Sequence, residues 1–225
     1  MARRRLARLV ALAIAAAATA LPARACDVAL LFAIDVSGSV NPLEYRLQVD
    51  GLAAALRDPI ISDALELTQA AVAVMQWSGV SQQELSVLWT RMEAPADIAA
   101  FAATVEGMRR AFDGSDTAVG ELIHTASRQF DDRVADCRRR VIDISGDGQT
   151  NVGRPSGPER NAAHRTGIEI NAIAIEMGGR SLAVTEYFRR HVITPGGFVM
   201  TARTHADYPD TLRAKIFREL VRPMV

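Results

Sequence analysis

Lysine is almost missing from this chain: of 225 residues only Lys215 is one, and arginine supplies the rest of the positive charge. Aromatic residues make up 5%, and there are two cysteines. With the first 25 residues set aside, which hold five arginines and no acid, the remainder carries 21 basic against 26 acidic residues, a net charge of −5. A mildly acidic body of this kind is a poor counterpart for nucleic acid, whose sequence-independent binding needs a basic surface. Beyond the N-terminus no stretch approaches the ~18 uninterrupted apolar residues of a membrane-spanning helix. Repeats, low-complexity tracts and charge blocks are also missing. A hydrophobic share of 49% is too high for a disordered chain. What is left is one globular domain with a short leader.

The leader, residues 1–25, reads as a secretory signal peptide. Met1–Arg8 carries four arginines, Leu9–Leu21 is an Ala/Leu/Val/Ile run, and Ala23-Arg24-Ala25 is a small-x-small cleavage site. The paired arginines leave twin-arginine export open, but the fuller motif is lacking and the general secretory route is preferred. Cleavage would make Cys26 the first residue. A lipid anchor through Cys26 is the minor alternative, because such sites want a large aliphatic residue three before the cysteine and a small one two before, and here these are Ala23 and Arg24. The expected protein is exported, periplasmic or secreted, with 26–225 as a single domain.

Within 26–225 two apolar patterns alternate. Continuous runs, expected of strands buried on both faces, occur at Val28–Ile34, Ala70–Trp77, Val141–Ile144 and Ile168–Ile175, with a weaker pair at Leu85–Trp89 and Phe198–Met200. Between them lie helical stripes such as Tyr45, Val49, Leu52 and Leu56, or Ile98, Phe101, Val105 and Met108. Pro42 and Pro158 stand where a proline opens a helix. The order β-α-β-β-α-α-β-α-β-α-β-α predicts a doubly wound, three-layer α/β/α sandwich with a mostly parallel sheet. The short link Gly79–Gln83 predicts a hairpin and hence one antiparallel edge strand.

Ligands of such sheets bind beyond the carboxyl ends of the strands. After the first strand comes Asp35-Val36-Ser37-Gly38-Ser39, and after the fourth comes Ser145-Gly146-Asp147-Gly148. Gly114-Ser115-Asp116-Thr117 precedes the helix before that strand. Two carboxylates and three hydroxyls, with no nitrogen or thiolate, are the donors that a hard cation such as Mg²⁺ takes. On its own, Asp-x-Ser-x-Ser reads more often as a capped turn at a helix start; Thr117 and Asp147 are what favour a metal.

These three motifs, in this order and context, resemble the von Willebrand factor type A (VWA) domain and its metal-ion-dependent adhesion site, and more narrowly an exported bacterial subgroup of unknown function. The resemblance covers essentially all of 26–225. It implies strand order 3-2-1-4-5-6 in a six-stranded sheet, with Ser37, Ser39 and Thr117 on the metal and Asp35 and Asp147 bound directly or through water. The commoner third motif has a threonine before the aspartate, where this chain has Gly146. The cation expected is Mg²⁺, with Mn²⁺ or Ca²⁺ as substitutes. Where one aspartate acts only through water the metal stays electron-poor and exchanges a water for an outside oxygen anion. A protein ligand presenting Asp or Glu would complete it, and nothing need be cleaved.

In the strand order implied by the resemblance, strands one and four are parallel neighbours. Cys26 lies nine residues before Asp35 and Cys137 ten before Asp147, so both fall at the lower end of the sheet. Strands ~4.8 Å apart suit a disulfide, and an exported protein with two cysteines pairs them. The bridge would close a loop of ~110 residues, worth about 4.7 kcal/mol in the chain-entropy model.

The alternative function is an Mg²⁺-dependent hydrolase or phosphatase using Asp35 and Asp147. It wants a cation near the site, and Lys215 belongs to the terminal helix, leaving Arg154 or Arg180. The four histidines, His124, His164, His191 and His205, show no i, i+4 pairing and read as surface or partly buried residues. Arg154 and Arg180 are also expected on a partner-binding rim together with Trp77, whose other reading is a strand-end residue buried under a helix.

Overall fold

A computed structural model describes residues 26–114, 116–178 and 181–221. The expected signal peptide and Arg180 lie outside the described residues. Six strands form one sheet: β1 (Val28–Asp35), β2 (Ala71–Trp77), β3 (Gln83–Arg91), β4 (Arg139–Gly146), β5 (Ile168–Ile175) and β6 (Val199–Ala202). Their order is β3-β2-β1-β4-β5-β6, parallel throughout except for β3, which runs antiparallel to β2 at the edge. This is the topology expected, including the hairpin.

Strand β1 is buried along its whole length, and the two-residue period sorts its side chains between two cores. Leu30, Phe32 and Ile34 face one side, where α1 (Pro42–Leu56), α2 (Pro59–Leu67), α3 (Pro95–Glu106) and α7 (Tyr208–Leu220) pack through Leu52, Leu65, Phe101 and Ile216. Leu31 and Ala33 face the other, covered by α4 (Val119–Ser127), α5 (Ser156–Arg165) and α6 (Ala183–His191) through Leu122, Ala163 and Phe188. Each large apolar side chain taken fully out of water contributes roughly 1.5–3 kcal/mol.

One element departs from the sequence reading. A single helix was expected between the first two strands, and two are present. Asp58 accepts hydrogen bonds from the N–H groups of Ile60 and Ile61 at 3.0 and 3.3 Å, and Pro59 occupies the first helical position. That Asp-Pro pair ends one helix and restarts another, turning Ile61 and Leu65 onto the same core.

At the lower end Cys26 and Cys137 form a disulfide with Cα atoms 4.3 Å apart, as expected from the β1–β4 neighbourhood. It packs with Ala29, Ala71 and Val134. Helix α7 does more than cover the sheet. Lys215 is fully buried, its Nζ 2.5 Å from Asp143 Oδ1 and 2.7 Å from Glu219 Oε1. Asn171 donates to the same Glu219 oxygen at 2.9 Å. Burial first, and the Asp143 charge second, push the Glu219 carboxyl up to about 8.

Candidate metal centre

The first motif is held rigid by its surroundings. Asp35 ends β1, and its Oδ1 accepts the Ser37 N–H at 2.8 Å. The Val40 N–H closes the turn onto the Ser37 carbonyl at 3.0 Å. Asn41 then caps α1, accepting from the N–H groups of Leu43 and Glu44 while Glu44 accepts the Asn41 N–H. From outside, the Arg110 guanidinium donates to the carbonyls of Val36 and Ser37 at 2.7 and 2.9 Å. From beneath, Gln48 donates to the Asp35 carbonyl at 3.2 Å.

The three motifs meet. The Ser37 hydroxyl lies 3.3 Å from that of Ser39, and Ser39 donates to Asp147 Oδ1 at 2.5 Å. Thr117 is pinned through its backbone: its N–H donates to Asn151 Oδ1, and its carbonyl accepts from the Asn151 N–H, both at 2.9 Å. The Thr150 hydroxyl donates to the same carbonyl at 3.2 Å. A methyl placed on Gly148 would stand 3.5 Å from the Thr117 hydroxyl, so the turn after β4 lies against the loop before α4. Asp35, Ser37, Thr117 and Asp147 are buried, whereas Gly38 and Ser39 are exposed and form the mouth.

The electrostatics suit a missing positive charge. Burial, and next the Asp147 charge, push the Asp35 carboxyl up to about 7, against hydrogen bonds from Ser37 that favour the anion. Asp147 is also raised, first by burial, with the Ser39 hydroxyl and His205 opposing. Asp35 Oδ2 and Asp147 Oδ2 are both buried without a hydrogen-bond partner. Orphaned carboxylate oxygens are costly, and a divalent cation against them removes that cost. Among the described residues no group of three His, Cys, Asp or Glu side chains is placed to hold a metal, so any cation here relies on the hydroxyls.

The rim needs correction. Trp77 is fully buried, and its Nε1 donates to the Ala33 carbonyl at 3.3 Å; it is the strand-end residue under a helix, not an interface anchor. It also accounts for Gly146. A Cβ at that position would lie 3.0 Å from Asp35 Oδ2, 3.2 Å from the Trp77 ring and 3.3 Å from the Phe188 ring, so the indole fills the space that a threonine would need. Arg154 is half exposed but pairs with Glu121 and Glu159 at 3.2 and 3.3 Å. Lys215 is locked in its buried cluster, so it offers a phosphoryl group nothing.

Sequence reasoning missed three neighbours of the site. Arg110 follows no strand, and nothing in its local pattern marked it. Glu44 was legible as the acid three residues after Asn41, though only as a cap. His205 reads from the sequence as a surface or partly buried residue; it is buried in the turn after β6, with Nε2 3.7 Å from Asp147 Oδ2.

A family model described as a protein of unknown function, DUF1194, matches residues 25–224. The chain belongs to the DUF1194 family. No curated protein sequence matches it. Among solved structures, the DUF1194 chain is similar to proximal thread matrix protein 1 of the mussel byssus, at 19% identity and a TM-score of 0.65 over 87% of this chain and 49% of that one. A von Willebrand factor type A protein from Catenulispora acidiphila aligns at 17% identity and a TM-score of 0.62, over 88% of this chain and 44% of that one. This chain therefore spans about half the length of those two proteins. BatB from Bacteroides thetaiotaomicron aligns at 16% identity and a TM-score of 0.58, over 85% of this chain and 99% of that one. One structure of the mussel protein has zinc in its metal-ion-dependent adhesion site. The fold of this DUF1194 protein is that of a VWA domain.

Proposed function

We propose that this protein is an exported, metal-dependent protein-binding module. Its top face takes a divalent cation through Asp35, Ser37, Ser39, Thr117 and Asp147, and a carboxylate from a protein partner completes the shell. The observation that carries this reading is the pair of buried, unpartnered oxygens on Asp35 and Asp147, set beside hydroxyls of an exposed mouth. Bound there, the cation supplies a Lewis-acidic position for an incoming oxygen anion. The chain's own groups position it: Arg110 and Gln48 fix the backbone around Asp35, and Asn151 fixes Thr117.

Around this face Leu43 and Met177 are 77% and 71% exposed, one at the start of α1 and the other just after β5. They are better placed than Trp77 to supply the apolar part of an interface. The disulfide at Cys26 supports export, and with its sulfur engaged it also supports a soluble periplasmic or secreted form over a lipid-anchored one. Among the described residues no helix is long and apolar enough to cross a membrane.

Calorimetric titration of the oxidised protein with Mg²⁺ and Mn²⁺, beside Asp35→Ala, tests the reading. Saturable one-site binding that the variant loses supports it, and a partner pull-down that fails in chelator extends it. A folded wild-type protein that binds no divalent cation overturns it, and metal-dependent turnover of phosphate or acyl esters, lost in Asp35→Ala, would favour the hydrolase instead.

A further inference from the structure

Gln48 is a polar side chain in an apolar place. It lies on the buried face of α1 with Tyr45, Val49 and Leu52 and is fully out of solvent. A buried amide without partners is costly, and this one uses both of its ends beneath the candidate metal centre. Its Nε2 donates to the Asp35 carbonyl at 3.2 Å, and its Oε1 accepts the Ser145 hydroxyl, also at 3.2 Å. The Asp35 carbonyl can only accept, so it takes the amide nitrogen and leaves the amide oxygen for Ser145.

The two partners stand on different strands. Asp35 is the last residue of β1, and Ser145 is the last but one of β4. The pairing of β1 with β4 runs from Val28 opposite Arg139 to Ile34 opposite Ser145 and stops there. Asp35 is the next residue on one strand, and Asp147 lies two further on the other. Gln48 therefore adds a rung made of side chain where the backbone ladder ends, at the level where both acids leave the sheet. Above it the Ser39–Asp147 hydrogen bond joins the loops. An ionised glutamate lacks the donor, and methionine or leucine lacks both groups, so among side chains of this length the neutral amide is the one that bridges a carbonyl and a hydroxyl.

A fixed spacing discriminates between cations. Mg²⁺ demands a near-ideal octahedron with bonds of about 2.0–2.1 Å, takes one or two carboxylates and keeps several waters, whereas Ca²⁺ takes about 6–8 oxygens at about 2.3–2.6 Å in a flexible geometry. Two carboxylates held at one separation suit the first, and a frame free to spread suits the second. We infer that Gln48 is a positioning residue of the metal centre: together with Ser145 it fixes the spacing of Asp35 and Asp147, and that spacing makes the centre select Mg²⁺ over Ca²⁺. The inference rests on the divalent-cation reading above and deepens it.

The test titrates Mg²⁺ and Ca²⁺ by calorimetry into the oxidised protein and into Gln48→Met, Ser145→Ala, the double variant and Leu52→Ala. Gln48→Met keeps the length of the side chain and removes both bonds; Ser145→Ala removes one end of the rung. Wild type is expected to bind Mg²⁺ at least about tenfold more tightly than Ca²⁺. Gln48→Met should weaken Mg²⁺ by about tenfold or more, the usual loss when a group supporting a ligand is removed, and leave Ca²⁺ within about threefold, so the preference collapses. Ser145→Ala should shift the ratio in the same direction, and the double variant should be no worse than Gln48→Met, because both act through one rung. Leu52→Ala loosens the same helix by a core cavity and should keep the wild-type ratio. An unchanged Mg²⁺-to-Ca²⁺ ratio in folded Gln48→Met overturns the inference and leaves the divalent-cation reading standing, as does a wild type without preference for Mg²⁺ or a Leu52→Ala variant that loses it. A folded wild type that binds neither cation overturns both. Where Gln48→Met does not fold, Ser145→Ala with the wild-type ratio overturns the inference.

Discussion

Ser39 and Asp147 lie 108 positions apart in sequence and share a hydrogen bond of 2.5 Å. That contact joins the loop after β1 to the loop after β4, and it exists because those two strands are parallel neighbours in the middle of the sheet. The order of the sheet reverses at this pair, and a crevice opens where the connections leave in opposite directions. Ser39 is the exposed member and Asp147 the buried one, so the bond runs from mouth to floor. The fold thus brings the two loops together.

Gly146 is the first place to test that assembly. Gly146→Ala puts a methyl group against Asp35 Oδ2 and the rings of Trp77 and Phe188, all within 3.3 Å. Overpacking of this kind costs about 1–3 kcal/mol. Denaturant unfolding without metal is expected to show that loss, and cation titration a weaker site, since Asp35 is the atom group pushed aside.

The strands and their order were legible because a sheet buried on both faces writes continuous apolar runs, as at Val28–Ile34 and Ile168–Ile175. Asp35, Ser37, Ser39 and Asp147 were legible because they stand at or just after strand ends, and Thr117 because it stands just before a helix. The break at Asp58-Pro59 carried a local signal that was passed over. Trp77 was ambiguous for a physical reason: a strand-end aromatic reads the same whether it faces solvent or a glycine-made space two strands away, and Gly146 supplies that space through tertiary packing alone. His205 had no signal, since its role depends on a turn after β6 meeting a cap on α1. Lys215 and Glu219 did carry one. They fall on the same face as Leu212, Ile216 and Leu220, which places two charges on the buried stripe of α7.

The disulfide should separate stability from binding. Cys26 and Cys137 lie at the end of the sheet opposite Asp35 and Asp147, ~30 Å away by strand length. Replacing both with serine is expected to cost about 2–5 kcal/mol and to leave cation affinity unchanged in the folded variant. Unfolding curves with and without reductant, and calorimetry on each form, check both halves.

Lys215→Met should be among the most damaging changes available outside the metal centre. It leaves Asp143 and Glu219 buried without their counter-charge, and breaking a buried pair from one side costs about 3–5 kcal/mol. The triple variant Asp143→Leu, Lys215→Met, Glu219→Leu removes the charges together and is expected to recover most of that loss. Thermal unfolding of the single and triple variants measures the difference.

The pH dependence follows from Asp35. Its carboxyl titrates at about 7 in the folded protein against 3.8 when unperturbed, so the folded state holds the proton more tightly than the unfolded one. The stability this gives is complete below pH 3.8 and is lost as pH rises through about 7. At 1.36 kcal/mol per unit the swing is of order 4 kcal/mol. Glu219, raised to about 8, contributes with the same sign, so the effect of Asp35 is read as the difference between wild type and Asp35→Asn. Cation binding runs the other way, because a ligating carboxylate must be deprotonated. Without metal the wild type is expected to lose stability relative to Asp35→Asn between pH 4 and pH 7. Saturating metal should flatten or reverse that loss over the same window. A metal-free difference that stays constant with pH would show that the Asp35 proton is not held by the fold.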